Sequence, residues 1–297
     1  IQKRRIWLEE EINEEREKYG KKEFKYEDKT KEKHIKVSTT DKESGYYHRD
    51  NKEKGFMYLD HRTVDGKCNI IVDCHIIHDS IPYTSRLDYI SEVFGFKIKK
   101  AGVDAGYDTL DIKKYFIDNN IFGVIGYRRY GTKESRQEKS KYYYEKQLDV
   151  YVEKETGEVL EYKGNIDRNG YKKYENESKT KIVRRHIKEE WNEQFRENRL
   201  SDKGKELYKF RKEKIERSFA DSKNNHGYRY AMYRGLKKNQ NYTWLICAAQ
   251  NMKTISLRIE NSKYNTDNID RNNSFMEKIF KFILNFQKLF YKENLGY

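Results

Sequence analysis

Two acidic residues, Asp104 and Glu216, have neighbours that would suit phosphoryl chemistry. Asp104 closes a strand-like run over 98–103, and Gly106 behind it lets a ligand or another backbone approach closely. Glu216 falls within a long helical stretch over 203–225. At 3.6 residues per turn, Lys212, Glu216, Ala220 and Lys223 line one side of that helix, beside an apolar strip of Ile215 and Phe219. A carboxylate flanked by lysines, with only an alanine between, can share one site with a metal ion and a phosphate. Cutting or rejoining a phosphodiester needs metal ions that activate the attacking oxygen and steady the leaving one. Mg2+ or Mn2+ suits such a site: Mg2+ takes oxygen ligands and keeps several waters, so two or three carboxylates from separate elements suffice. Each acid also has an ordinary reading. An Asp at a strand end is commonly a turn or cap residue, and a Glu among lysines is commonly half of a surface ion pair. Neither establishes a site alone.

The surrounding elements read as mixed α/β. Two strand-like runs, 55–64 and 68–77, flank Asp65 and Gly66, a hairpin signal because both residue types tolerate positive φ. Pro82 then opens a helix whose stripe of Leu87, Ile90 and Phe94 ends at Gly95. A second helix is expected over 108–119, with Leu110, Ile112, Tyr115 and Phe116 inward, and a buried strand over 121–126. Short strands around 142–152 and a helix near 186–196 lie in a charged, glycine-punctuated stretch. Helices over 203–225 and 236–257 follow. The expected division is a charged, peripheral segment 1–54, core 55–128, an insertion 129–202, two core helices 203–258, and a tail 259–297. In that tail Phe275, Ile279, Phe282, Phe286 and Leu289 form a stripe suited to packing or to a homodimer contact.

The chain carries 63 Lys and Arg against 49 Asp and Glu, a net charge of +14 that favours a polyanionic partner through counterion release. DNA and RNA fit that balance equally. Hydrophobic residues make up only 35%, yet 26 Tyr and 14 Phe supply enough apolar surface for a folded core. The three cysteines make neither a disulfide framework nor a zinc spacing, and no apolar run of about 20 residues appears; both point to a cytoplasmic protein away from membranes. Cys74, His75 and His78 do not converge, because neighbouring strand residues face opposite ways. Arg128 and Arg129, within a basic stretch interleaved with tyrosines, suit phosphates and unstacked bases; a solvated loop reads the same way. Arg229 and Arg234 flank the turn after the Glu216 helix and suit the same backbone.

Taken together, several segments resemble the DDE transposases of bacterial insertion sequences. They are Gly-Phe-Met-Tyr-Leu-Asp-His-Arg-Thr-Val-Asp-Gly (55–66), Val-Asp-Ala-Gly-Tyr (103–107), Ile-Phe-Gly-Val-Ile-Gly-Tyr-Arg-Arg (121–129) and Ile-Glu-Arg-Ser-Phe-Ala-Asp (215–221). His-Gly-Tyr-Arg-Tyr (226–230), Arg234 with Gly235, and Ala-Ala-Gln-Asn-Met-Lys (248–253) extend the likeness, which covers about 36–255. Each motif is weak alone; their order makes the set specific. The resemblance implies an RNase H-like mixed sheet with flanking helices and a charged insertion before the catalytic helix. It further implies an Asp-Asp-Glu triad holding Mg2+ or Mn2+, and DNA as substrate. Asp104 matches the second acid, Glu216 the third, and Lys223 the lysine that follows the Glu. Lys212, with Arg211 beside it, stands where relatives carry an arginine, which keeps the charge but loses the two-pronged grip. The first acid has no match, so it is expected upstream of Ile1; Asp60, Asp65 and Asp73 read as sheet or turn residues. A chain lacking that acid is expected to bind metal poorly and to cut slowly or not at all. The rival reading is a non-catalytic nucleic-acid binder, either a decayed transposase or a basic RNA-binding protein.

Overall fold

A computed structural model describes residues 2–26, 35–48, 54–77, 83–127 and 138–263. In chain order its elements are α1 (Gln2–Lys18), β1 (Gly45–Tyr47), β2 (Gly55–Met57), β3 (Leu59–Val64), β4 (Ile71–Ile77), α2 (Tyr83–Phe94), β5 (Lys100–Val103), α3 (Leu110–Asp118) and β6 (Phe122–Ile125). There follow β7 (Tyr142–Glu145), β8 (Val150–Glu153), β9 (Val159–Ile166), β10 (Tyr171–Glu175), β11 (Ile182–His186), α4 (Glu189–Leu200), α5 (Asp202–Asn225) and α6 (Leu236–Lys263). They gather into two compact units, one of residues 1–33 and 102–205, the other of 34–101 and 206–297. The readings at Pro82, His78, Arg128, Arg129 and the stripe Phe275 to Leu289 lie outside the described residues.

In the first unit, β7 to β11 form an antiparallel meander in the order β11-β10-β9-β8-β7. Strict alternation along β9 sends Leu160 and Tyr162 inward and Val159, Glu161 and Lys163 outward. The inner face is largely aromatic: Tyr142, Tyr151, Tyr162 and Tyr174 pack with Leu160 and Val183. Buried tyrosines need their hydroxyls satisfied, and Tyr144 and Tyr174 both donate to Asp149 Oδ1, at 2.8 and 2.5 Å. Helix α1, expected to lie at the periphery, buries Leu8 and Ile12 instead. Two apolar anchors one turn apart suffice because charged neighbours also find partners: Glu15 pairs with Lys172 at 2.7 Å and Glu11 with Lys188 at 2.5 Å.

Strand β6, hydrogen-bonded to β5, packs under α3 and α4. Thr109 caps α3 by accepting from the Ile112 N–H, and Ile112 and Phe116 point inward as their spacing predicts. Phe116 stacks on Phe195 of α4 with ring centroids 6.1 Å apart. Only a glycine allows this approach, since a Cβ on Gly123 would run into Phe116 and come within 2.6 Å of Phe195.

In the second unit, β3 and β4 form the expected hairpin, but the connection is longer than a two-residue turn. The Asp65 N–H reaches the Ile70 carbonyl at 2.7 Å, and Asn69 takes the left-handed conformation at φ 58°. Helix α6 then covers the outer edge of β4 with side-chain amides. Gln240 accepts from the Ile76 N–H at 2.7 Å and donates to the Cys74 carbonyl at 3.1 Å. Asn251 does the same to both backbone groups of Ile71, at 2.8 and 2.9 Å. These bonds satisfy strand groups that would otherwise be buried unpaired. Leu87 and Ile90 of α2 are buried, and Arg86 pairs with Asp73 on β4. Among the described residues no helix is long and apolar enough to cross a membrane.

Replacing Gly123 with alanine is expected to destabilise the protein by about 1–3 kcal/mol, the usual cost of overpacking a filled core. Chemical denaturation followed by tyrosine fluorescence measures it; an unchanged midpoint would show that the rings move aside freely.

Candidate nucleic-acid and metal site

Asp104 leaves β5 in extended conformation, with φ −73° and ψ 162°. Its Oδ1 accepts from the Ala105 N–H at 2.8 Å, capping the short 3-10 turn Ala105–Tyr107. The ordinary role of a strand-end Asp is therefore present here, on a side chain that remains exposed. Asp104 belongs to the first unit and Glu216 to the second.

Glu216 sits midway along α5. Lys212, Glu216, Ala220 and Lys223 are all exposed, while Ile215 and Phe219 are half-buried, so the helix presents the face its spacing predicts. Among the described residues no hydrogen bond or ion pair occupies the Glu216 carboxylate. Arg211 is half-buried, with its guanidinium 5.5 Å from the Tyr208 ring centroid. Beyond the helix, exposed Arg229 donates to Asn224 Oδ1 at 2.9 Å. Exposed Arg234 lies near Asp41. Against the upward push of burial, the Gly235 N–H, the Tyr58 hydroxyl and Arg234 hold the Asp41 carboxyl below its usual range.

What holds α5 in this orientation is a buried residue to which sequence reading assigned no role, Arg62 on β3. Its side chain is 0% exposed. Nη2 donates to Asp60 Oδ2 at 2.6 Å. Nη1 faces Ser218 Oγ at 2.8 Å and Ser222 Oγ at 2.9 Å on α5, and Gln250 Oε1 at 3.2 Å on α6. The planar cation also lies 4.6 Å from the centroid of Phe219. Gln250 closes the arrangement by donating to the Ser218 carbonyl at 2.9 Å and to Asp221 Oδ2 at 2.8 Å. Burial pushes the Asp60 carboxyl up, against the pull of Arg62. Burial works against the Arg62 charge, but Asp60 and the groups around it together hold its pKa above the usual range. Asp60, read as an ordinary sheet residue, is the anion of this buried pair. The signal in the sequence was slight: Asp60 and Arg62 at alternate strand positions face the same way, and Ser218 and Ser222 lie one helical turn apart.

Mg2+ asks for hard oxygen donors, and the exposed carboxylates of Asp104 and Glu216 are of that kind. Among the described residues no group of three or more His, Cys, Asp or Glu side chains is assembled around one point. The lysines beside Glu216 would attract phosphate to the same surface.

Arg62→Ala is expected to cost about 3–5 kcal/mol, because it leaves Asp60 buried without its cation. The double change Asp60→Leu with Arg62→Met removes both charges and should recover most of that loss. Urea denaturation distinguishes the two; equal losses in both variants would show that packing, not charge pairing, dominates.

Comparison with known proteins bears on this surface. Neither the curated proteins nor the solved structures compared with the chain gave a match. A protein-family model did match, over residues 168–256, less than a third of the chain but the part that holds Arg211, Lys212, Glu216, Lys223, Arg229 and Arg234. That model is described as the transposase DDE domain, and residues 168–256 are similar to it.

Proposed function

We propose that the chain is the cutting and joining part of a bacterial insertion-sequence transposase, built on an RNase H-like core and acting on DNA in the cytoplasm. The observation that carries this reading is the exposed Glu216, set between Lys212 and Lys223 on one face of the helix that lies within the family match. In this reading Asp104 and Glu216 are metal ligands for Mg2+ or Mn2+. When bound, the metal lends Lewis-acid stabilisation to the phosphate oxygens and makes a bound water or hydroxyl easier to deprotonate.

The chain's own side chains supply position and charge. Lys212 and Lys223 hold the phosphate beside Glu216 as point charges, and Arg211 adds a cation one position away. Arg229 and Arg234 grip the backbone beyond the end of α5, and Arg128 and Arg129 are further cations of a type suited to phosphate. Phosphate contacts of this kind fix the register of the DNA without reading its sequence. Arg62 bears on the reaction only through α5, by keeping the face of Glu216 turned outward.

With Mg2+, a form of the protein carrying the full acid triad should nick DNA that carries the element's ends. Asp104→Asn or Glu216→Gln should each lower the nicking rate by at least about a hundredfold, since loss of groups merely supporting a metal ligand already costs 10–100-fold. DNA binding, read by fluorescence anisotropy, should stay unchanged in both variants. Nicking retained in either variant would remove that residue from the site.

A further inference from the structure

The turn between α5 and α6 exposes large apolar side chains in a cationic setting. Tyr230 is 77% exposed, Met232 64% and Tyr233 49%, all between Arg229 and Arg234, with exposed Lys237 and Lys238 just beyond. Single exposed apolar residues are ordinary on a protein surface, but three within one short turn beside four cations are not scattered singly.

This turn is fastened at many points. It runs between two glycines in the left-handed conformation, Gly227 at φ 65° and Gly235 at φ 91°. The Gly235 N–H donates to Asp41 Oδ2 at 3.1 Å, and the Leu236 N–H to Glu43 Oε2 at 2.7 Å. Asn239 donates to the Tyr233 carbonyl at 2.7 Å, and the Tyr228 and Thr243 hydroxyls meet at 2.6 Å. The Tyr233 ring stands edge-on to Tyr242, with centroids 5.6 Å apart. A surface fastened in this way binds without first having to be ordered. The two nearby acids, Asp41 and Glu43, already accept from backbone N–H groups, so they complete the turn while the arginines and lysines face solvent.

We propose that the turn 229–234 holds unpaired nucleotides at a DNA end. Tyr230 offers its ring face to one base, Met232 wedges beside the next, and Arg229 and Arg234 take the flanking phosphates. Aromatic faces stack on any base, while apolar wedges favour an opened base step. The setting argues for nucleic acid over a protein partner, because the buried centres of protein interfaces are depleted in lysine. The turn also leads directly out of α5, since Arg229 is bonded to Asn224, the neighbour of Lys223. The inference rests on reading the chain as DNA-acting, but not on its cutting DNA.

The test uses the full chain and two probes, a blunt duplex and the same duplex with a single-stranded thymidine overhang. The parent chain should prefer the overhang probe. Y230A/M232A should bind that probe about tenfold more weakly or worse, the expected loss for a stacked base, while blunt-duplex affinity stays within about twofold. Tyr230→Trp should keep the preference. Three results would each overturn the proposal: no overhang preference in the parent, equal losses on both probes, or a change of oligomeric state in the double variant on size exclusion. An overhang preference in a protein whose Asp104→Asn and Glu216→Gln variants nick DNA as fast as the parent would sink the cutting assignment alone.

Discussion

The second unit depends on one buried cation. Arg62 reaches from the β3–β4 hairpin into α5 and α6 and bonds to serines and a glutamine on both helices, with Asp60 as its anion. Apolar packing through Ile215 and Phe219 would bring α5 onto the sheet, but it is non-directional and would tolerate a range of helix rotations. A guanidinium has donors in a fixed plane, so it accepts few arrangements of its partners. At 100° per residue, Ser218 and Ser222 lie about 200° and 240° around the helix from Glu216. Pinning the two serines inward therefore turns Glu216, Lys212 and Lys223 outward. The burial of one charged pair in this way orients the candidate site, and its fixed geometry, more than any net gain in stability, is what it contributes.

A related device secures the sheet. Strand β4 meets α6 along its outer edge, where Gln240 and Asn251 supply the hydrogen bonds that a further strand would otherwise make. Helix α6 is thus held both by apolar contact around Cys247 and by directional bonds that fix its position along the strand. Ser218 and Gln250 then join α5 to α6, so the two helices and the hairpin form one connected polar and apolar network.

Much of this was legible where local rules decide. The end of α2 and the stripes of α2 and α3 follow from Gly95 and the positions of Leu87, Ile90, Ile112 and Phe116, because helix ends and faces are set by nearby residues. The outward face of α5 was likewise readable from periodicity. What escaped was decided by distant partners. The docking of α1 rests on contacts with β9, more than a hundred positions away, and a short apolar pair in a charged helix carries little local signal. The hairpin loop is longer than Asp65-Gly66 implied because Asn69 takes the left-handed turn farther along. The role of Arg62 was hidden for the same reason: its partners lie 156 to 188 positions on, and only the fold brings them together. The chemistry divides similarly. Glu216 and its lysines are local to one helix, while any ion they share with Asp104 depends on elements far apart in sequence.

Localised oxidation of the backbone reports whether Asp104 and Glu216 hold one ion. Fe2+ substituted for Mg2+ and treated with ascorbate and peroxide cuts a polypeptide beside the groups that hold the metal. Two sites of cutting are expected in the same molecule, near residues 104 and 216, both lost when Glu216 becomes Gln. Cutting near one position alone, or an unchanged pattern in that variant, would contradict a shared ion.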